Sequence, residues 1–303
     1  MKKRRHHYVW REYLRAWASN DLIWCYREGE VFHSNLKGIA QIRDFYKLKE
    51  LTLQDITFVR RFLVEPYEGE QRKINEDWIK FFNFIFEFKA ELQAKGINSQ
   101  EVEKVIGVAV NNFEEDYHGV IESTAIKYLD SIKRHDISFY CSDKGRLNFF
   151  YFLCAQYLRT NRMRESVLGS LTNNMVMGVN FNNVWNVMAH IFTTNMAFGL
   201  AEDNEKYRIV LLNNKSKIPL IAGDQPVINT YAIGKQGDSV NELEFYYPIS
   251  PVLAILISGK DEYKFIKEKN ISDDDAERYN LSIKDQSHSQ IYASSENNIK
   301  RYV

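Results

Sequence analysis

Cysteine is scarce in this chain, and its placement removes two classes of small protein. Cys25, Cys141 and Cys154 are odd in number and far apart, with no CxxC pair, so neither a zinc knuckle nor a disulfide framework is indicated. Cys154 falls in an apolar helical run and reads as a small buried residue. Net charge is lacking as well. Lys plus Arg and Asp plus Glu number 40 each, so no global field draws the chain to nucleic acid or to an anionic membrane, and any such binding must be local. Long apolar runs are missing: the longest, such as 149–155 and 252–258, fall far short of a bilayer span. The basic start MKKRRHHYVW has no apolar signal-peptide segment. A soluble, cytoplasmic protein with no membrane partner is expected. There is also no Gly-rich phosphate loop, HExxH, GxSxG or kinase signature, so covalent serine or cysteine catalysis has no support.

Proline is rare and unevenly spread. Of five, Pro219, Pro226, Pro248 and Pro251 crowd into one stretch, and none lies between Pro66 and Pro219. That proline-free stretch has helical periodicity almost throughout. Ser99 is a plausible cap for a helix over 99–110. Residues 113–132 predict a long amphipathic helix with Phe113, Tyr117, Val120, Ile121, Thr124, Tyr128 and Ile132 on one face. Residues 147–160 are apolar nearly all round, the mark of a central buried helix, and 183–198 predict another.

Aromatics are plentiful, 19 Phe, 18 Tyr and 5 Trp, which a disordered chain would not carry. Before the helices, 22–26 and 31–33 flank Gly29 as a hairpin. After them, short β-rich runs occur at 207–212, 218–221, 244–247, 252–257 and 290–293, and Ser272 caps a helix with acids in its first turn. The expected architecture is α+β in a single domain over 1–303: an N-terminal β-hairpin at 22–34, a largely helical middle at 53–200, and a β-rich region at 206–293 forming an antiparallel or mixed sheet.

The most informative stretch is KIPLIAGDQPVIN at 217–229. Ile218, Leu220 and Ile221, then Val227 and Ile228, predict two short strands broken by Gly223-Asp224-Gln225-Pro226. An acid at that break must be hydrogen-bonded, paired or functional, since burying it bare is costly.

HHYVWREYLRAW, RDFY at 43–46, FLCAQYLRTNRMRE at 152–165, IAGDQPVI and YYPISPVLAILIS occur in order along essentially the whole chain. Together they resemble a bacterial family catalogued as domain of unknown function 4238. The family's start usually reads His-Tyr-Val-Pro, and Trp10 stands here in the proline's place. The resemblance implies a fold and a shared polar set but no activity.

Several polar residues then ask for a role. His7 can serve as a general acid or base, or bond structurally, with the basic tail before it either touching phosphates or lying disordered. Gln156, Arg159 and Thr160 share one face of an apolar helix. Arg159 would clamp an anion with Gln156 orienting substrate, or else pair internally with Glu122 or Asp224. Arg162 extends the basic character. Glu115 and Glu122, two turns apart, could bracket a substrate or metal or be salt-bridged. Asp224 is a candidate metal ligand, general base or partner orienting His7, against capping its own turn. The enzymatic reading assigns catalysis to His7, Glu122 and Asp224, and substrate binding to Tyr8, Gln156, Arg159, Arg162 and Gln225, with a divalent metal as an open option. Such a set suits phosphate chemistry, first a nuclease acting on RNA or DNA through a local basic patch. A toxin or phage-defence setting is an expectation from the kind of family resembled. The competing expectation is a non-catalytic sensor or interaction module that binds a protein partner and whose polar set is a structural network.

Overall fold

The computed structural model describes residues 1–172, 178–203, 205–235, 240 and 242–303. The chain begins with β1 (Arg5–His7), α1 (Arg11–Leu14), β2 (Leu22–Arg27), β3 (Glu30–Asn35) and β4 (Gln41–Arg43). The helical middle comprises α2 (Leu53–Val59), α3 (Gly69–Ala94), α4 (Gln100–Lys133), α5 (Asp143–Leu158), α6 (Asn161–Thr172) and α7 (Phe181–Glu202). There follow β5 (Arg208–Asn214), β6 (Ala222–Gly223), β7 (Ile228–Asn229), β8 (Glu244–Ser250), β9 (Leu253–Ser258), β10 (Glu268–Ile271), α8 (Asp273–Gln286), β11 (Gln290–Ala293) and α9 (Glu296–Lys300). This is the α+β arrangement expected.

The hairpin turns at Glu28 and Gly29, both at positive φ, the geometry a two-residue turn between twisted strands requires. Its strands join β11 and β6 in a four-stranded antiparallel sheet ordered β3-β2-β11-β6. The C-terminal sheet is ordered β10-β5-β9-β8-β7 and is mixed, because β10 runs parallel to β5 while the other pairs are antiparallel. A separate ribbon pairs β1 with β4.

Ser99 caps α4 by accepting from the Val102 amide, and 99–110 and 113–132, expected as two helices, form one helix of 34 residues. Val120, expected on its buried face, is exposed. The buried stripe runs Ile106, Val110, Asn111, Glu114, His118, Ile121, Ala125 and Leu129, apolar at both ends and polar between. The apolar α5 packs against α7 and α4 on one side, and Phe152 and Tyr157 meet Tyr247 and Phe245 of β8 on the other. It is therefore the layer between helices and sheet. The basic tail, read as loose, lies along α4: Asn112 accepts from the Lys3 amide at 2.8 Å and donates to the Met1 carbonyl at 2.9 Å.

The segment before the Gly-Asp-Gln-Pro break is not a strand. Ile218, Leu220 and Ile221 are buried in irregular backbone whose polar groups are satisfied without a ladder. The Leu220 amide donates to the Pro251 carbonyl at 2.9 Å. The Ile221 amide donates to Asn280 Oδ1 at 2.9 Å, and Trp17 Nε1 donates to the Leu220 carbonyl at 2.7 Å. Gly223 is required by close approach to α8: a Cβ there would stand 2.1 Å from Ser287 Oγ and 3.1 Å from Ile283 Cγ2. Gly223→Ala is expected to cost about 1–3 kcal/mol through overpacking, read as a lowered thermal midpoint. An unchanged midpoint would show that α8 shifts freely.

Candidate functional site

Two polar networks meet on either side of the N-terminal strand, because successive residues of an extended chain point to opposite faces. His7 faces the first and Tyr8 the second.

The first network centres on Arg159, at the C-terminal end of the buried α5. Its Nη1 donates to Glu122 Oε1 at 2.5 Å, its Nε to the Tyr46 hydroxyl at 2.9 Å, and its Nη2 to the backbone carbonyl of His7. It ties α5 to α4 and to the N-terminal segment. Burial alone would lower its pKa, but Tyr46, Glu122 and Glu115 outweigh that and keep it charged. Burial raises the pKa of both Glu122 and Glu115, more than the nearby guanidinium lowers them. Burial, Arg11 and Arg159 push His7 down to about 4, so its imidazole is neutral at physiological pH. His7, Glu115, His118, Glu122 and Arg159, with Trp10, Arg11, Glu12 and Arg15 at the rim, line a pocket of about 220 Å³. Within it, His7 Nε2 and Glu115 Oε2 are buried and have no hydrogen-bond partner.

The second network centres on Asp224. Its carboxylate accepts from the amides of His288, Ser289 and Gln290 at 2.7, 2.9 and 3.0 Å, and from the Ser289 hydroxyl at 3.0 Å. Burial pushes its pKa up and these donors pull it down, leaving it raised. Gln290 Nε2 in turn donates to the Tyr8 hydroxyl at 2.9 Å. Asp224 therefore fastens the start of β11 and does not line the His7 pocket; neither does Tyr8. It caps backbone, as an Asp at a turn can, but the amides belong to a segment more than sixty residues downstream.

The remaining sequence candidates scatter. Gln225 accepts from the Thr160 hydroxyl and donates to the carbonyls of Tyr157 and Val227 at 3.0 and 2.7 Å, pinning the break onto the end of α5. Gln156 is fully buried, with both side-chain polar atoms unpartnered. Arg162 lines a different, larger cavity shared with Gln225. The structure thus brings His7, Glu122 and Arg159 together and holds Asp224, Tyr8, Gln225 and Arg162 elsewhere.

A group that sequence reasoning passed over adjoins the first network. Glu114 and His118, one turn apart on α4, face Asn186 and His190, one turn apart on α7. Glu114 Oε1 lies 3.7 Å from His118 Nε2 and 3.4 Å from His190 Nε2, while its Oε2 accepts from Asn186 Nδ2 at 2.6 Å. All of these ligand-type atoms from Glu114, His118 and His190 lie within 4.8 Å of one another. Burial would raise Glu114, but the two imidazoles outweigh it and hold the carboxyl down to about 2. Burial, then Arg159, hold His118 down to about 3. These three side chains are the group, among the described residues, that could hold a metal ion. The available signal was the repeated i, i+4 spacing of polar residues in otherwise apolar helix faces.

The family model described as protein of unknown function (DUF4238) matches residues 5–297. The chain belongs to this family. Nothing among curated proteins or solved structures matched this DUF4238 chain. The family match spans both polar networks, and no helix among the described residues is long and apolar enough to cross a membrane.

Proposed function

We propose that this DUF4238 chain is a phosphodiester-cleaving enzyme acting on RNA or DNA, with its chemistry in the His7–Glu115–Arg159 pocket. The observation that carries the reading is that His7 and Glu115 line one pocket beside a fixed guanidinium, with His7 Nε2 and Glu115 Oε2 both buried and partnerless. A neutral imidazole accepts the proton of the attacking water or hydroxyl. The Glu115 carboxyl, in its protonated form, donates one to the leaving oxygen as the new P–O bond forms and the old one breaks. Arg159 supplies fixed positive charge where the phosphoryl oxygens would sit. Glu122 holds Arg159 and so serves as a positioning residue.

A pocket of about 220 Å³ takes a phosphate and part of a sugar, which favours a strand end or an extruded nucleotide over an intact duplex. Local basic residues support it: Arg5 lies on the same strand face as His7 and opposite Arg43 in the β1–β4 register, and Arg11 stands at the rim, where Arg15 is paired with Glu12 and Asp21. A cytoplasmic location accords with three free cysteines, and a toxin or phage-defence role is a setting in which such an activity would serve. The test is incubation with total RNA and with DNA, each with Mg²⁺, Mn²⁺ or chelator. Cleavage that disappears in His7→Gln with an unchanged melt is expected. A folded chain that leaves every substrate intact overturns the reading.

One observation favours a second reading, a non-catalytic interaction module. Phe81, Phe84 and Phe88 are exposed along one side of α3, at spacings that form a stripe. Under that reading His7→Gln leaves the cellular effect unchanged.

A further inference from the structure

We propose that Glu114, His118 and His190 bind one first-row divalent transition-metal ion between α4 and α7, with Asn186 orienting the carboxylate. The inference is independent of the reaction assigned to the neighbouring pocket.

Glu114 Oε1 stands 3.4 and 3.7 Å from the two imidazole Nε2 atoms, too far for good hydrogen bonds, which peak near about 2.9–3.0 Å. A tetrahedral ion with bonds of about 2.0–2.1 Å separates its ligand atoms by about 3.3 Å. The three ligand atoms all lie within 4.8 Å of one another, so closing the widest gap by at most about 1.5 Å completes three corners. The three side chains come from two rigid helices and are 3, 4 and 3 % exposed, which holds the donors in place.

Glu114, Glu115 and Glu122 share this region with the buried cation Arg159, which is committed to Glu122. No lysine or arginine pairs with Glu114 among the described residues; its ion-pair neighbours are imidazoles. Buried carboxylates are tolerated when paired or when they coordinate a metal, and a doubly charged ion answers the deficit.

Asn186 Nδ2 fixes the outer carboxylate oxygen, as an outer-shell partner of a ligating carboxylate does. Trp78 stacks on the His190 ring at 4.7 Å and Tyr46 packs on His118 at 4.8 Å, giving an aromatic wall that restrains both imidazoles. His118 Nδ1 is buried without a partner, so hydrogen bonding does not account for that ring's burial. A void of about 10 Å³ borders all three residues, room for about one water-sized fourth ligand. Three protein ligands with one open position is the pattern of a reactive rather than a purely structural zinc-type site. Two imidazoles with a carboxylate select zinc, cobalt(II) or iron(II) over magnesium or calcium, which prefer all-oxygen shells.

The test uses the full chain, stripped with chelator and titrated with Co²⁺ while visible absorption and thermal midpoint are recorded. Elemental analysis of the protein as purified accompanies it. Expected are d–d bands that saturate at one Co²⁺ per chain, displacement by Zn²⁺, a raised midpoint, and no response to Mg²⁺. Asn186→Ala should weaken binding by about 10–100-fold. Glu114→Gln and His190→Gln, close in shape to the native residues, should abolish the bands. No bands and no midpoint shift in the unsubstituted chain overturn the proposal. So do bands unchanged in both of those variants, or an equal response to Mg²⁺. Because the decisive titration is on the unsubstituted chain, a variant that fails to fold does not protect the idea.

Discussion

Replacing Arg159 with methionine is expected to lower the unfolding free energy by about 3–5 kcal/mol, because it leaves a buried carboxylate without its counter-charge. For a chain of this size that is a fall in melting temperature on the order of 10 °C. The side chains of Arg159 and Glu122 are 3 and 13 % exposed, so water replaces little of what is lost. The Tyr46 hydroxyl and the His7 carbonyl lose their donor in the same substitution. Methionine keeps most of the length of the side chain, so the effect reports charge and hydrogen bonding rather than a cavity. Adding Glu122→Gln should recover a substantial part of the loss, since the stranded charge goes with it. A single variant that melts within a degree of the parent would sink the view that this pair holds α5 to α4. A double variant no better than the single would show that the hydroxyl and carbonyl partners dominate.

The same residue shows what the sequence made visible. Gln156, Arg159 and Thr160 stood out as a polar face on an apolar helix, and Glu122 was one of two named partners for Arg159, because a buried guanidinium demands a carboxylate. The hairpin and the caps at Ser99 and Ser272 were equally legible, since each depends on residues within a few positions of one another. What escaped depended on distant chain. Ile218, Leu220 and Ile221 are apolar because they are buried, but Pro219 and side-chain partners such as Asn280 take the place of a strand ladder. Asp224 looked reactive because the amides of residues 288–290 that saturate it are far along the sequence. On α4 the apolar pattern places Val120 inside, while the buried stripe carries Asn111, Glu114 and His118 between Val110 and Ile121. Polar residues at core positions break the periodic pattern where a site is built, so hydrophobic periodicity is least informative there.

Replacing His7 with glutamine is expected to reduce phosphodiester cleavage by about 10²–10⁴-fold, the usual contribution of a general base. The pH behaviour separates that role from a structural one. With its imidazole pushed down to about 4, His7 stays in the base form well below pH 6.5, so the acid limb of the cleavage rate should fall near pH 4. Stability carries the same signature. The unfolded chain protonates His7 near its ordinary 6.5, whereas the folded chain resists until about 4. The contribution is therefore fully present above pH 6.5 and is lost as the pH falls from there to about 4. Across that window the loss is at most about 1.4 kcal/mol per pH unit, reduced by the solvent contact His7 retains. Glu115 and Glu122, whose raised pKa values favour the folded state in acid, act in the opposite sense, so the parent curve alone does not isolate His7. The difference between parent and His7→Gln does. Melts between pH 7.5 and 4 should show the parent losing more stability than the variant as acid is added. Parallel curves would place His7 at its ordinary pKa and move the acid limb of cleavage up toward pH 6.5.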